Sequence, residues 1–494
     1  MDKISILHIS DLHKTKGVPY ETLLDSLCDD RQRWIQESIQ VPNFIVISGD
    51  LIEGAYADDE IRDQYAEVSI FLEKLVSEFL DGDKTRLIMV PGNHDVNRAC
   101  SSNSMTEISA PSADELKFLK KNFWKPECLV RFDWKTMNFF KVNDIAKYNE
   151  RFSLFKDFYD KFYGGLRRFP SNSTKEAFVC SFEKEHIVFA GFNSCNFLDD
   201  KNVSGNIDEE SLSSISSKLR MYDSDGYLIV GVWHHHYYGD PYITNYMSRD
   251  VFFPMSEKGI RMGLFGHQHF SEVADEYISP YYVNEEQRKE KMMLLVSSGT
   301  LFGGEKQLQP GFRRQYNIIE IERHNLDSQI DIAINIREDK SKKANSKIPF
   351  WQCCPIVSTT DNKIHKRVLV KGINKNQFLL QLMKKTTESG EYEQACNSLL
   401  NLGLDDKHVR DLFDEFLQKT SARFQIEILQ NIDISLPETI ILLYAVLNEK
   451  DNETAKKIKA NKIIMNFVSS DSLLKDIWNN INQFTAVPFR NRRV

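Results

Sequence analysis

The chain has 494 residues, of which 41% are hydrophobic and 27% charged, and its formal net charge at pH 7 is −8. This length exceeds what one hydrophobic core normally organises, so two or three folded units are expected. The acidic balance argues against broad, non-specific binding to nucleic acid, which depends on many contacts between basic residues and phosphates. It does not exclude a nuclease, because metal-binding carboxylates contribute to the same acidity.

The apolar segments and the cysteines predict a cytoplasmic protein without membrane contact. The longest apolar segment, residues 440–447, is much shorter than the roughly 20 residues that span a bilayer. The chain begins with a strand-like segment rather than with the cationic and apolar regions of a signal peptide. None of the eight cysteines shows CxxC spacing, so we expect all of them to be reduced thiols.

The first hundred residues predict alternating strands and helices. Short runs rich in β-branched and aliphatic residues at 4–9, 44–48 and 86–90 indicate buried strands. Between these runs, residues 20–40 and 61–80 place apolar side chains at helical spacing. Strand, helix, strand, helix, strand is the order typical of a layered α/β fold.

A polar cluster follows each of these three strands, and two more clusters follow predicted strands at 227–233 and 261–265. The clusters are Asp11-Leu-His13, Gly49-Asp50, Gly92-Asn93-His94-Asp95, His234-His235-His236 and Gly266-His267-Gln-His269. In α/β folds, ligands bind beyond the carboxyl ends of the strands, so the five clusters should converge in space. Together they supply carboxylate, imidazole and amide ligands in the numbers that a pair of metal ions needs.

The five clusters together resemble the signature of the calcineurin-like metallophosphoesterase superfamily, which reads DxH, GDxx, GNHD, a later His and GHxH. The resemblance extends over about residues 1–345 and includes Gly191-Phe-Asn193-Ser194 and Gly299-Thr-Leu-Phe-Gly303. It implies a four-layer α/β/β/α sandwich that hydrolyses phosphoesters with two divalent metal ions.

The resemblance also implies two metal sites that share one carboxylate. The first site would consist of Asp11, His13, Asp50 and His269, and the second of Asp50, Asn93, His234 and His267. Mn²⁺ is the expected metal, with Fe, Zn, Ni, Co and Mg as alternatives for such mixed oxygen and nitrogen ligands. The pair of ions would generate a hydroxide that attacks phosphorus.

Three further residues are candidates for contact with the substrate. In the family, the histidine that corresponds to His94 contacts the phosphate and assists the leaving group, a role that suits imidazole near pH 7. Asp95 is a candidate substrate contact, or else orients His94 or shapes the loop. If Trp233 ends its strand, His234 is the metal ligand and His235 lies near the phosphate. A shift of one residue would exchange these two roles, because alternate residues at a strand end face opposite ways.

Residues 96–175 form an insert that is too long for a connecting loop and is rich in aromatic and basic residues. One interpretation is a small helical subdomain, since Phe152, Phe155, Tyr159 and Phe162 recur at helical spacing. The other is a cap over the metal ions, in which aromatic rings stack on bases and basic groups meet phosphates. Both interpretations can hold at once.

The C-terminal part of the sequence predicts helices rather than alternating strands and helices. We expect a catalytic domain over residues 1–350, a linker over 351–364 and an α-helical domain over 365–494. Helices are predicted at 376–383, 392–400, 407–417, 422–429, 437–448 and 472–481. No catalytic motif occurs there, so this domain is interpreted as a module for binding a partner protein or for self-association.

These features predict a phosphodiesterase whose substrate is DNA, RNA or a cyclic nucleotide. The insert and the helical domain also resemble the architecture of bacterial effectors, some of which act as anti-phage nucleases. One alternative is a phosphomonoesterase or protein phosphatase. Another is a regulatory or scaffolding subunit that binds metal and acts through its C-terminal helices.

Overall fold

The computed structural model describes residues 3–14, 19–123, 125, 128–239, 244–277, 292–303, 307–308, 311–323, 328–341, 348–356, 359–371, 396, 399–400, 404 and 407–485. The chain divides into two compact units, residues 1–373 and 374–494. All eight cysteines are free thiols. Within the described ranges, no helix combines the length and the apolar character needed to cross a membrane.

The first unit contains sixteen described strands and eight described α-helices. The strands are β1 (Ile4–Ile9), β2 (Phe44–Ile47), β3 (Leu87–Met89), β4 (Met105–Glu107), β5 (Val130–Asp133), β6 (Asn138–Val142), β7 (Phe178–Phe182), β8 (Ile187–Gly191), β9 (Leu228–Val232), β10 (Ile260–Phe265), β11 (Glu272–Tyr277), β12 (Met292–Ser297), β13 (Gln315–Arg323), β14 (Gln329–Asp339), β15 (Trp351–Cys353) and β16 (Ile364–Leu369). The helices are α1 (Glu21–Gln36), α2 (Asp58–Phe79), α3 (Arg98–Asn103), α4 (Ala113–Asn122), α5 (Ile145–Asn149), α6 (Ser153–Tyr163), α7 (Glu209–Ser224) and α8 (Phe252–Glu257).

Two large mixed sheets form the centre of this unit. The first has the strand order β15-β14-β13-β1-β2-β3, with β16 also paired to β14, and its strands β1, β2 and β3 are parallel. The second has the order β11-β12-β10-β9-β8-β7, with four parallel strands between antiparallel edges. The carboxyl ends of parallel strands lie at the same edge of a sheet. The polar clusters follow these strands in the sequence and therefore lie at that edge.

The two sheets pack face to face and helices cover both outer surfaces. Because successive side chains of a strand face opposite ways, Ile6 and Val46 lie in the core between the sheets, whereas Leu7 and Ile45 face the helices. Residues of α1, α2 and α6 complete the core on the first sheet, and residues of α7 and α8 complete the core on the second. The predicted four-layer α/β/β/α sandwich is therefore confirmed.

The insert at 96–175 differs from the helical subdomain that the spacing of its aromatic residues predicted. It contains helices α3 to α6 but also an antiparallel sheet with the order β4-β6-β5. Alternating buried residues such as Val130 and Phe139 favour strands there and pack against Leu119 in a small separate core. The aromatic face of α6 joins the main core instead, where Phe158 stacks on Tyr65 of α2 at 4.7 Å between ring centroids.

The first sheet also extends into the region for which a linker was predicted. Strand β15 pairs with residues 337–339 of β14, and β16 pairs with residues 329–334 of the same strand. Strand β14 is 11 residues long, and both short strands cover the edge that it would otherwise expose. Hence residues 351–353 and 364–369 belong to the first compact unit, which ends at residue 373, whereas the predicted helical domain begins at 365.

The second unit is helical, as predicted. Its described helices are α9 (Lys407–Gln418), α10 (Ala422–Leu429), α11 (Leu436–Glu449), α12 (Asn452–Ala460), α13 (Lys462–Ser470) and α14 (Ser472–Thr485). Their apolar faces share one core that includes Phe413, Leu443 and Trp478. Pro437 occupies the first turn of α11, where its missing N–H costs no helical hydrogen bond. The predicted helix at 376–383 and most of that at 392–400 lie outside the described residues.

Asp414 of α9 should make the helical unit less stable as the pH rises. The residue is 8% exposed, and burial, together with the nearby Glu438, raises its pKa from 3.8 to about 7. Between about pH 4 and pH 7 the native state keeps a proton that the unfolded chain has released. The free energy of unfolding therefore falls as the pH rises through this window.

We expect Asp414→Asn, which resembles the protonated acid, to raise the free energy of unfolding of this unit at pH 8 by about 1–3 kcal/mol. Hydrogen–deuterium exchange of residues 407–485 in the full chain, corrected for intrinsic rates, measures this quantity. The exposed Asp411 on the same helix provides the matched control, Asp411→Asn, which should change little. A variant at Asp414 with the wild-type dependence on pH would contradict the argument.

Candidate metal centre

The polar clusters converge at the carboxyl ends of five strands, as the sequence predicts. Asp11 and His13 follow β1, Asp50 follows β2, Asn93 and His94 follow β3, His234 follows β9, and His267 and His269 follow β10. The first three strands belong to one sheet and the last two to the other. The cluster therefore lies where the ends of the two facing sheets meet.

One group of donor atoms comprises Asp11, His13 and His269. The Nε2 atoms of the two histidines are 3.0 Å apart. Asp11 Oδ1 lies 3.2 Å from His269 Nε2 and 3.7 Å from His13 Nε2. All three side chains thus direct a donor atom toward one small volume.

A second group comprises Asn93, His234 and His267. Asn93 Oδ1 lies 2.9 Å from His234 Nε2 and 2.8 Å from His267 Nδ1. The two imidazole nitrogens are themselves 3.2 Å apart. The structure therefore brings His234, rather than His235, into this group.

Asp50 lies between the two groups. Its Oδ2 atom is 3.8 Å from His13 Nε2 and 3.3 Å from His234 Nε2. Its Oδ1 atom accepts a hydrogen bond of 2.8 Å from the backbone N–H of His94. This hydrogen bond orients the carboxylate so that one oxygen faces both groups.

The backbone of the centre is held in an unfavourable conformation. Asp11, His13, Asp50, His267 and His269 all have φ between +46° and +78°, a region that costs a residue other than glycine of the order of 1 kcal/mol or more. Hydrogen bonds hold it there, including those of 3.1 Å from Asp11 N to Gly49 O and from His13 N to Asp50 O.

Two signature glycines are required by close approach. A Cβ atom at Gly92 would lie 2.2 Å from Asp50 Oδ1, and one at Gly266 would lie 1.9 Å from Ser10 Oγ. Real Cβ atoms do not approach other atoms so closely, so a side chain at either position would displace the carboxylates of the centre.

The comparison with known families agrees with this geometry. The sequence profile of the calcineurin-like phosphoesterases matches residues 4–271, which is more than half of the chain. The chain belongs to the calcineurin-like phosphoesterase family. No curated protein matches the sequence.

Solved structures of other proteins resemble this phosphoesterase at low identity. GAP50, the anchor in the inner membrane complex of Plasmodium, is 12% identical over 76% of this chain and 91% of its own, with a TM-score of 0.34. The calcineurin-like phosphoesterase YfkN of Bacillus subtilis is 12% identical over 78% and 98%, with a TM-score of 0.25. Chaetomium thermophilum Vps29 is 7% identical over 74% and 97%, with a TM-score of 0.23. These values are too low to support a functional conclusion.

Hydrogen bonds to backbone carbonyls fix the tautomers of three histidines in this phosphoesterase. His234 Nδ1 donates to Ser48 O at 2.8 Å, His267 Nε2 donates to Asn245 O at 2.5 Å, and His269 Nδ1 donates to Gln307 O. A carbonyl oxygen only accepts, so the proton of each neutral imidazole is on the nitrogen that faces the carbonyl. The other nitrogen of each ring therefore presents a lone pair to the centre, the arrangement typical of histidines that bind metal.

These donor atoms fit a pair of divalent metal ions. Asp11 Oδ1 is buried and lacks a hydrogen-bond donor among the described residues. Imidazole nitrogens stand 3.0 Å apart between His13 and His269 and 3.2 Å apart between His234 and His267, and two unprotonated nitrogens at such distances repel unless a cation lies between them. About 3 Å is the separation of neighbouring ligands around an ion with bonds of about 2.1 Å. The buried His and Asp clusters are therefore consistent with a binuclear metal site.

Electrostatics keep the two carboxylates ionised. Burial alone would raise the pKa of Asp50, but the neighbouring His234 and His94 outweigh it, so its pKa lies well below the ordinary value. Burial would likewise raise the pKa of Asp11, but the neighbouring His269 outweighs this effect, so the pKa of Asp11 is also lowered. Burial would lower the pKa of His234, but the negative charge of Asp50 outweighs this effect and raises that pKa to about 9. A metal ion would have to displace that proton, so metal binding should release protons.

His94 lies at the open side of the centre. It is partly exposed, whereas His13, whose ring centroid is 4.7 Å away, is buried. Its Nδ1 donates a hydrogen bond of 2.6 Å to Glu53 O, so Nε2 is the ring nitrogen that does not take part in this hydrogen bond. The role of His94 at the phosphate stays a prediction.

The structure places Asp95 in the loop rather than at a surface open to substrate. It is buried, and Oδ2 accepts hydrogen bonds from the backbone N–H groups of Gly92 and Leu51 at 2.9 and 3.2 Å. Oδ1 accepts a hydrogen bond of 3.0 Å from the hydroxyl of Tyr65. Burial and the charge of Asp50 raise the pKa of Asp95 to about 7. These contacts support the alternative that Asp95 shapes the loop.

The groups that orient the ligands cannot be predicted from the sequence. The carbonyls of Ser48, Glu53, Asn245 and Gln307 act through the backbone, which carries no signal of residue type. In the sequence, Ser194 is marked only as the last residue of the motif that begins at Gly191, yet its hydroxyl contacts both His234 and His235. Its place shortly after the strand β8 is the one indication that the sequence offers.

Proposed function

We propose that this phosphoesterase hydrolyses a phosphodiester with two divalent metal ions, Mn²⁺ foremost. The proposed ligands are Asp11, His13, Asp50 and His269 for the first ion, and Asp50, Asn93, His234 and His267 for the second. The observation that carries the proposal is the position of Asp50 Oδ2, which faces donor atoms of both groups. One carboxylate shared in this way is the arrangement that holds two ions about 3.5–4 Å apart in two-metal phosphoesterases.

Bound ions would lower the pKa of a shared water molecule and so supply hydroxide near neutral pH. We assign His94 to the leaving group. Because Nδ1 donates to Glu53 O, the imidazolium form would present its second proton on Nε2 to the departing oxygen. Burial lowers the pKa of His94, while Asp50 and the Glu53 carbonyl act in the opposite direction and stabilise the charged form.

The chemistry of the centre supports a diester over a monoester. The described hydrogen bonds of the proposed ligands go to carbonyl oxygens, to backbone N–H groups and to one another. The basic residue next to His13, Lys14, pairs with Glu67. Among the residues that the structure describes, positive charge at the centre would thus come from histidine, beside the ions themselves, which suits the single charge of a diester better than the double charge of a monoester.

The test is a comparison of two chromogenic esters with purified, Mn²⁺-loaded protein. We expect bis-p-nitrophenyl phosphate to be hydrolysed with a higher kcat/KM than p-nitrophenyl phosphate, and a chelator to abolish turnover. A preference for the monoester would favour a phosphatase. Stoichiometric metal binding without turnover of either ester would favour the regulatory subunit.

Narrower forms of the proposal concern the natural substrate and partner. DNA, RNA and cyclic nucleotides are the candidates, and a role as an anti-phage nuclease would require turnover of DNA or RNA. The helical unit is proposed to bind a partner protein or a second copy of the chain. Its exposed apolar side chains support that role, namely Leu436, Tyr444, Ile463 and Leu473. The predicted cytoplasmic location stays a prediction.

A further inference from the structure

Ser194 connects two consecutive histidines at the edge of the metal centre. The residue follows β8 and is fully buried. Its Oγ atom lies 3.1 Å from the backbone nitrogen of His234 and 3.1 Å from that of His235. The same Oγ atom lies 3.0 Å from Nδ1 of the His235 ring. Three polar atoms thus surround one hydroxyl group.

Counting donors and acceptors fixes the tautomer of His235. A hydroxyl offers two lone pairs and one hydrogen. The backbone N–H groups of His234 and His235 donate to Ser194 Oγ and occupy both lone pairs. The hydroxyl hydrogen must therefore point to Nδ1 of His235, which acts as the acceptor. A neutral imidazole that accepts at Nδ1 carries its proton on Nε2.

The ring of His235 is held rigidly in this orientation. A Cβ atom on Gly205 would lie 2.4 Å from Cγ of His235, so the backbone at Gly205 presses against the ring. On the other side its centroid is 4.6 Å from that of His267 and 5.3 Å from that of His234. His235 Nε2 is buried and has no hydrogen-bond partner among the described residues.

We infer that Ser194 is a positioning residue that locks His235 as a neutral Nε2–H donor, and that this donor binds a phosphoryl oxygen at the second metal group. The second half of the inference rests on the proposed function. A buried N–H without an acceptor costs about 1–3 kcal/mol, so an oxygen that binds beside it is stabilised by a hydrogen bond. The His235 ring lies beside those of His234 and His267, two proposed ligands of the second ion, which places the donor at that group.

The acceptor is inferred to be an anionic oxygen, the kind that a phosphoester carries. The hydrogen bond from a neutral imidazole to a charged oxygen is stronger than one to a neutral acceptor. The donor also needs no proton exchange to function, since Ser194 holds the hydrogen on Nε2 whether or not substrate is bound. His235 would thus contribute to binding and orientation, while His94 handles the proton of the leaving group.

The first experiment measures the tautomer and requires no turnover. Zinc-loaded protein with ¹⁵N-labelled histidine should show His235 as a neutral ring protonated on Nε2. Ser194→Ala should allow the proton to exchange between the two ring nitrogens. Cys195→Ala is the matched control, because Cys195 Sγ is 4.0 Å from the same Nδ1 atom but leaves the serine intact. A wild-type ring protonated on Nδ1, or on both nitrogens, overturns the inference.

The second experiment measures the affinity of the metal-loaded protein for inorganic phosphate by calorimetry. We expect His235→Phe to weaken phosphate binding by about 10-fold to 100-fold, as loss of a hydrogen bond to a charged group predicts. His235→Gln, which places an amide N–H near the same position, should retain most of the affinity. Ser194→Ala should lie between the two.

The two experiments separate this inference from the proposed function. Neither the tautomer nor the affinity for phosphate requires turnover, so both can be measured even if the protein hydrolyses no diester. Wild-type phosphate affinity in a His235→Phe variant that still binds two ions overturns the assigned donor. If that variant does not fold or load metal, Ser194→Ala decides in its place: unchanged phosphate affinity together with a changed tautomer overturns the assignment.

Discussion

Replacing Asp50 with asparagine is expected to lower phosphodiester turnover by a factor on the order of 1,000 or more. The substitution keeps the shape of the side chain but removes the charge that faces both donor groups. Asp50 Oδ2 is 3.8 Å from His13 Nε2 and 3.3 Å from His234 Nε2, so its charge faces donor atoms of both groups. We therefore expect both kcat and metal content to fall.

Metal analysis of the purified variant tests the reason for the loss. The wild-type chain should hold two ions, whereas Asp50→Asn should hold one or none. Asp95→Asn is the matched control: this carboxyl is equally buried and near Asp50, but its hydrogen bonds go to Gly92, Leu51 and Tyr65. It should retain two ions. A fully active Asp50→Asn protein with two ions would contradict the shared-carboxylate arrangement.

The sequence predicts those features of the structure that depend on short stretches of neighbouring residues. Buried strands are recognisable because short apolar runs end in polar clusters, and the convergence of those clusters follows from the geometry of parallel strands. The sequence alone therefore predicts that Asp11, Asp50 and His267 lie close together. The helical spacing between the strands predicted a layered α/β fold, and the resemblance to the phosphoesterase family implied its four layers.

What could not be predicted depends on contacts between distant segments. Strands β15 and β16 form because they pair with the edge of β14. The residues of these two short strands do not by themselves indicate that this edge is available. The choice between His234 and His235 turned on the end of one strand and on a serine 40 residues away. The left-handed backbone at Asp11 and Asp50 is likewise imposed by neighbouring loops, against the preference of those residues.

Replacing His94 with asparagine should produce a loss that depends on the leaving group. An imidazolium that protonates the departing oxygen typically contributes about 100-fold to 10,000-fold. Nitrophenolate leaves readily without a proton, whereas the alkoxide of a nucleoside does not. We therefore expect a small loss with bis-p-nitrophenyl phosphate and a loss of this full size with a cyclic nucleotide or dinucleotide that the wild-type chain hydrolyses.

The comparison of the two substrates separates proton donation from simple contact with the phosphate. If His94 only binds phosphoryl oxygens, both substrates lose activity by the same factor, because both present the same oxygens. The exposed His365 supplies the control His365→Asn, which should leave both rates unchanged. The contact of His94 Nδ1 with Glu53 O explains why the effect should be specific: it directs Nε2, the nitrogen that remains, toward the side of the centre that is open to substrate.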